Sequence, residues 1–253
     1  MFTPFARKAP HQRAALLLLV SLIANLLPAH PVSAAVQHSP AQAIPVPFVR
    51  VLNMPVNDIA YEKLSQKLFV SVPSIAGAGG NAVTEIDPAT GALGASVFVG
   101  SEPNKIALSD DGQTLYVGLN GSASVRRVDV ATHTAGTQFR LGFDQFSGIP
   151  FMPGDLAVVP GDPNAVAVAK LNTSSTPGAG VAVYDNGVSR PNVATNPGDE
   201  STYLAFGATA ATLYGSQQFG GGLKKMSVDA GGVISAGVTP FTFAGRMQFG
   251  SVC

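Results

Sequence analysis

Short apolar runs separated by turn-forming residues dominate the chain between Ser101 and Gly142. Apolar runs of three to seven residues bounded by Asp, Asn and Gly predict short β-strands joined by tight turns. β-branched and aromatic residues within the runs favour strand over helix. The four predicted strands of this stretch lie at Ile106–Leu108, Leu115–Val117, 124–130 and 137–141.

Two of the intervening turns have a recognisable chemistry. Asp110, Asp111 and Gly112 predict a hairpin turn, because Asp begins tight turns well and Gly tolerates a positive φ. Asp129 opens a second turn that runs through Thr132, where we expect its carboxylate to accept local backbone N–H groups. Four antiparallel strands within about 42 residues correspond to one blade of a β-propeller.

The same order of runs and turns returns along the chain at spacings of 47, 50 and 48 residues. Each unit begins with an apolar residue followed by Ala: Ile59-Ala60, Ile106-Ala107, Leu156-Ala157 and Leu204-Ala205. The third strand of each unit ends in Asp, at Asp87, Asp129, Asp185 and Asp229. A fixed period with matched turn residues predicts a repeat architecture. The small Ala suits innermost strands that crowd around a central channel.

The predicted fold is therefore all-β, a β-propeller with four recognisable four-stranded blades. The blades are expected at about residues 55–100, 101–142, 143–200 and 201–245, with the start of a fifth unit at 246–253. The outermost strands number five, one more than a closed ring of four blades needs: 48–52, 96–99, 137–141, 188–194 and 234–243. This count predicts an incomplete, truncated ring whose unpaired ends favour self-association.

Two segments carry a resemblance to a known family. They are NKIALSDDGQTLYVGLNGSASVRRVDVATHTAG, beginning at Asn104, and NDIAYEKLSQKLFVSVPSIAGAGGNAVTEIDPATGAL, beginning at Asn57. Both resemble the bacterial YVTN-type β-propeller repeats, in which an apolar strand, a DG turn, an L-Y-V strand and an I-D-x-x-T-G hairpin recur. The resemblance covers about residues 46–250 and implies a propeller. It implies no reaction, because such relatives include surface-layer proteins and quinoprotein-like or lactonase-like enzymes.

The first 34 residues have the pattern of a signal peptide. A basic start is followed by an apolar run of about 14 residues from Ala14 to Leu27, short of the roughly 20 that span a membrane. Small residues at Val32-Ser33-Ala34 predict cleavage between Ala34 and Ala35, and hence a secreted or periplasmic protein. The alternative is an uncleaved anchor helix. Residues 35–46 predict a flexible leader, and 47–253 contain the repeats.

Composition narrows the range of partners. Cleavage would remove three of the 15 basic residues and none of the 15 acidic ones, giving a net charge of about −3. The chain has no basic stripe for nucleic acid, and no membrane span is expected after cleavage. Cys253 is the single cysteine, so no internal disulfide is predicted.

Five polar residues precede or begin the first strands of the units and form the candidate ligand site: Asn57, Asp58, Asn104, Lys105 and Asp155. At the channel mouth of a propeller, they would bind a small polar ligand or a protein partner. The alternative is that they are ordinary solvated residues at the starts of strands. Histidines are sparse, and the Asp110–Gly112 turn lacks calcium-loop spacing. No catalytic residue, metal site or cofactor is therefore predicted.

Three functions remain open from the sequence. The first is an exported, non-catalytic β-propeller that acts as a binding or surface scaffold. The second is a propeller enzyme of the lactonase or quinoprotein-dehydrogenase-like type, acting at the channel mouth. The third is a truncated remnant of a longer propeller protein.

Overall fold

Sixteen β-strands, grouped in four sheets of four, make up the part of the chain that the structure describes. The structure is a computed structural model, and it describes residues 49–173, 178–195, 201–216 and 222–235. The first sheet, blade 1, consists of β1 (Asp58–Glu62), β2 (Lys67–Val72), β3 (Ala82–Ile86) and β4 (Leu93–Phe98).

The other three sheets use the following strands in the same consecutive order. Blade 2 consists of β5 (Pro103–Leu108), β6 (Thr114–Leu119), β7 (Ser124–Asp129) and β8 (Thr134–Arg140). Blade 3 consists of β9 (Met152–Val159), β10 (Asp162–Leu171), β11 (Gly178–Asp185) and β12 (Val188–Ser189). Blade 4 consists of β13 (Tyr203–Phe206), β14 (Thr212–Ser216), β15 (Leu223–Asp229) and β16 (Gly232–Ser235). Within the four sheets the strands pair antiparallel, as expected for strands joined by short turns.

Asp129 was predicted to bind the backbone of its own turn, and this is confirmed, because its Oδ1 accepts the N–H of Thr132 at 2.8 Å. Asp87 and Asp229, which close the third strands of blades 1 and 4, accept turn N–H groups in the same way at 2.8 to 3.1 Å. Asp185 differs, because its carboxylate accepts two hydrogen bonds of 2.8 Å from Arg190. The repeated Asp therefore has one role in three blades and another in blade 3.

The hydrophobic cores lie between neighbouring blades. Phe69 and Val83 of blade 1 pack with Leu115 and Val117 of blade 2, and similar clusters join blade 2 to blade 3 and blade 3 to blade 4. Since side chains alternate along a strand, each middle blade buries one face against the preceding blade and the other against the next. The first strands contact one another in chain order, β1 to β5, β5 to β9 and β9 to β13. Across the described ranges, no extensive strand contact joins blade 4 to blade 1.

Two of the predicted outermost strands are wrong in extent. The predicted strand 48–52 is not formed at residues 49–52, which pair with no other strand, and residue 48 lies outside the described residues. Of the predicted strand 188–194, only Val188–Ser189 forms a regular strand, but Arg190 and Ala194 also bond β11, at Val183 and Val181. The pairing is interrupted between them because Pro191 has no N–H to donate, and because the backbone of Asn192 bonds Gly231 and Val233 of blade 4 instead.

The remaining predicted outermost strands are confirmed with shifted bounds. The strands predicted at 96–99 and 137–141 run over Leu93–Phe98 and Thr134–Arg140. Of the strand predicted at 234–243, the described part is β16, and the rest lies outside the described residues. The predicted signal peptide, the leader and the start of a fifth unit also lie outside them.

Candidate functional site

The candidate polar residues lie at one end of the first strands. Asp58 begins β1, Lys105 lies in β5 and Asp155 lies in β9, at equivalent positions of three successive blades. The Lys105 Nζ is 4.0 Å from the Asp58 Oδ1. The charges of Lys105 and Asp58 also both act on the carboxyl of Asp155. The structure therefore brings these three predicted residues into one electrostatic cluster.

Both aspartates of this cluster bind the backbone of the following blade. The Asp58 Oδ2 accepts the N–H of Ile106 at 3.0 Å, and the Asp155 Oδ2 accepts the N–H of Leu204 at 2.7 Å. Ile106 and Leu204 are the apolar residues that precede the repeated Ala in blades 2 and 4. The two carboxylates therefore connect consecutive first strands, one at the junction of blades 1 and 2 and one at the junction of blades 3 and 4.

Asn57 and Asn104 take part in the same junction. The Asn57 Nδ2 donates to the carbonyl of Pro103 at 2.8 Å. The hydroxyl of Ser71 donates to the carbonyl of Asn104 at 2.5 Å. Asn57 therefore acts through its side chain and Asn104 through its main chain. Ser71 was not predicted, because a serine within a strand gives no sequence signal for a contact 33 residues away.

Among the influences on the pKa of Asp155, burial is the largest. It raises the pKa of this carboxyl to about 6, because a charged carboxylate loses solvation inside the protein. The N–H groups of Leu204 and Leu156 and the ammonium of Lys105 favour the charged form and oppose this shift, while the charge of Asp58 adds to it. The cluster therefore changes charge near pH 6.

A second set of connections joins the blades at the opposite end of the first strands. The Asp110 Oδ2 accepts the N–H of Gly161 at 3.1 Å, and the Tyr116 hydroxyl donates to the carbonyl of Pro163 at 3.1 Å. Glu62, which is buried, lies against Gly112. From the sequence, Asp110–Gly112 was predicted as a hairpin turn on the basis of local turn preferences alone. The contacts to the neighbouring blades were missed, although their separation of about one repeat period was a signal that could have revealed them.

The described residues contain neither a candidate metal cluster nor a membrane-spanning helix. Among them, no group of three or more His, Cys, Asp or Glu side chains is placed to hold a metal ion. Within the same ranges, no helix has the length and apolarity needed to cross a membrane.

Comparison with known proteins gives the fold. No protein-family model and no curated protein matches the chain. Among solved structures, the chain is similar to the Kuenenia stuttgartiensis hydrazine synthase, with 20% sequence identity and a TM-score of 0.54. The fold is all-β and β-propeller-like.

The match covers only part of each chain. The match covers 75% of this chain and 53% of the hydrazine synthase chain, so the protein spans about half the length of that chain. At 20% identity the likeness concerns the fold alone, and 994 chains of known structure match this chain. A fold shared so widely selects no single function. The YVTN-type assignment stays a prediction.

Proposed function

We propose that the protein is an exported, non-catalytic β-propeller that serves as a binding or surface scaffold. The observation that carries this proposal is the use of Asp58 and Asp155 as acceptors for the N–H groups of Ile106 and Leu204. The most polar positions of the inner strands thereby stabilise the blade junctions. Export is supported by the signal-like pattern that ends at Ala34.

The geometry of the two carboxylates favours a structural role over a catalytic one. A general base must reach the proton that it removes, within hydrogen-bond distance of the substrate. One oxygen of Asp58 accepts a backbone N–H, and the other faces Lys105 at 4.0 Å. Asp155 accepts backbone N–H groups from Leu204 and Leu156. These interactions fix both carboxylates against the protein.

We also propose that the blades form an open arc. In support, Ile59 of β1 is 40% exposed, whereas the equivalent Ile106 and Leu156 are 8% and 5% exposed. Tyr61, two residues further along the same strand, is also exposed. The face of blade 1 that would meet a preceding blade is therefore partly open to solvent. A second copy of the chain is the partner expected there, because apolar sheet surface left open favours association.

Two experiments test the proposal on the chain that begins at Ala35. The first measures hydrolysis of γ-lactones and aryl esters with and without Ca²⁺ or Zn²⁺, and we expect no turnover above the buffer rate. Metal-dependent turnover that disappears in Asp58→Ala would favour the lactonase-like enzyme instead. The second measures the mass by light scattering between 1 and 100 μM. Concentration-dependent association supports the open arc, whereas a strict monomer with a single sharp melting transition supports a closed ring.

A further inference from the structure

Lys170 breaks the repeat at a buried position. It lies near the end of β10 opposite Pro153, just as Leu119 lies at the end of β6 opposite Pro103. Val72 ends β2 at the same position of blade 1. Leu119 and Val72 are 0% and 2% exposed, and Lys170 is only 7% exposed. Blade 3 therefore places an ammonium group where blades 1 and 2 have an aliphatic side chain.

An aromatic ring lies beside the Lys170 ammonium. Its Nζ lies 4.8 Å from the centre of the Phe151 ring, a cation–π contact. The connection between blades 2 and 3, residues 142–151, is held at this point because the Asn172 Nδ2 donates to the Asp144 Oδ2 at 3.0 Å. In the described ranges, no carboxylate forms an ion pair with Lys170. Burial lowers the pKa of its ammonium group.

A largely buried lysine that has no anionic partner among the described residues is unfavourable for folding. Moving a charge out of water costs several kcal/mol unless an opposite charge or hydrogen bonds compensate, and a cation–π contact returns roughly 0.5 to 2 kcal/mol. Leu119 demonstrates that the same strand position accepts a leucine. A residue that weakens the fold where a better one is available is a candidate for function.

We propose that the junction of blades 2 and 3 binds a small monocarboxylate with an apolar body, and that Lys170 is its cationic anchor. The carboxylate would supply the negative charge that no carboxylate of the described residues provides. The partly exposed Phe151 ring offers apolar surface for the rest of the molecule. This site assigns a ligand class to the scaffold proposed above and rests on its binding role. It uses other residues than the Asp58–Asp155 cluster.

Benzoate and butyrate are the probes, and Lys170→Leu is the decisive variant because it installs the residue of the equivalent position in blade 2. Calorimetric titration of the wild-type chain is expected to show saturable binding of at least one acid, weakened at least tenfold in Lys170→Leu. Lys63→Leu makes the same change at an exposed lysine and should bind like the wild type. Lys170→Leu should melt at the same temperature or higher, because it removes a charge from a largely buried position where no described carboxylate pairs with it.

A second measurement needs no variant. Reductive methylation of the wild-type chain, read by mass spectrometry at each lysine, should show Lys170 protected by the bound acid and Lys63 unaffected. Equal binding to Lys170→Leu and wild type, or no saturable binding and no protection, would overturn the site. Inorganic phosphate binding more tightly than both acids would overturn the ligand class. Turnover of a lactone would contradict the proposed non-catalytic scaffold, whereas the outcomes above contradict only the Lys170 site. The failure of the proposed function and the failure of the site are therefore distinguishable.

Discussion

The carboxylate of Asp58 accepts the backbone N–H of Ile106 at 3.0 Å, and this hydrogen bond joins the first strands of blades 1 and 2. The residues lie 48 positions apart, one repeat period. Asp155 and Leu204 form the same connection between blades 3 and 4. In blade 2 the equivalent residue is Lys105, so the junction of blades 2 and 3 has no carboxylate at this position. Repeats that pack on one another need such connections, because each unit contacts only its neighbours.

Replacing Asp58 by Ala should destabilise the protein by about 1 to 3 kcal/mol, because the buried N–H of Ile106 loses its acceptor. Asp58→Asn keeps an oxygen at the same place and should retain most of the stability. Urea unfolding followed by circular dichroism measures both variants. Equal stability of Asp58→Ala and the wild type would exclude a structural role for this carboxylate.

Asp155 should give the stability a pH dependence. Its pKa of about 6 lies above the usual value of about 3.9 that it has in the unfolded chain. Between pH 4 and 6 the folded chain therefore holds more protons than the unfolded chain, and stability falls as the pH rises. Melting temperatures of the wild type and Asp155→Asn across this window measure the effect. From pH 4 to pH 6 the melting temperature of the wild type should fall relative to that of Asp155→Asn. Melting temperatures that change in parallel would contradict the raised pKa.

Gly112 is expected to tolerate Ala less well than Gly161 does. Both have a positive φ, +70° and +77°, so Ala introduces similar backbone strain at each. A Cβ on Gly112 would lie 2.5 Å from the Glu62 Oε1, whereas a Cβ on Gly161 meets nothing within 4 Å. We expect Gly112→Ala to cost about 1 to 3 kcal/mol more than Gly161→Ala, since crowding adds to strain. Urea midpoints compare the two variants, and equal losses would mean that Glu62 moves away freely.

Arg190 should stabilise the junction of blades 3 and 4. It donates two hydrogen bonds of 2.8 Å to Asp185 of its own blade and one of 2.7 Å to the carbonyl of Asp229 in blade 4. Arg190→Lys keeps the charge but cannot donate in this planar, bidentate way. We expect it to lose about 1 kcal/mol, and Arg190→Ala to lose more. Hydrogen exchange should show faster opening of β15 and β16 in both, and unchanged exchange would argue against the connection.

The candidate residues were predicted from the sequence, but their structural role was not. Asp58, Lys105 and Asp155 were recognised because the repeat places them at equivalent positions, and the structure puts Lys105 4.0 Å from Asp58. Their role in ligand binding stays a prediction. The hydrogen bonds of Asp58 and Asp155 to the next blade were not predicted. A spacing of 48 residues states which positions are equivalent. It does not state which backbone group a side chain reaches.

The sequence by itself determined the strands, the turns and their period, because these depend on the alternation of apolar residues and on Asp and Gly within a few positions. The tertiary structure decided where the outermost strand of blade 3 is interrupted, because the backbone of Asn192 bonds blade 4. It also decided that Lys170 is buried where Leu119 would fit. Local preferences act within a few residues along the chain. Burial and hydrogen bonding between blades depend on residues that only folding brings together.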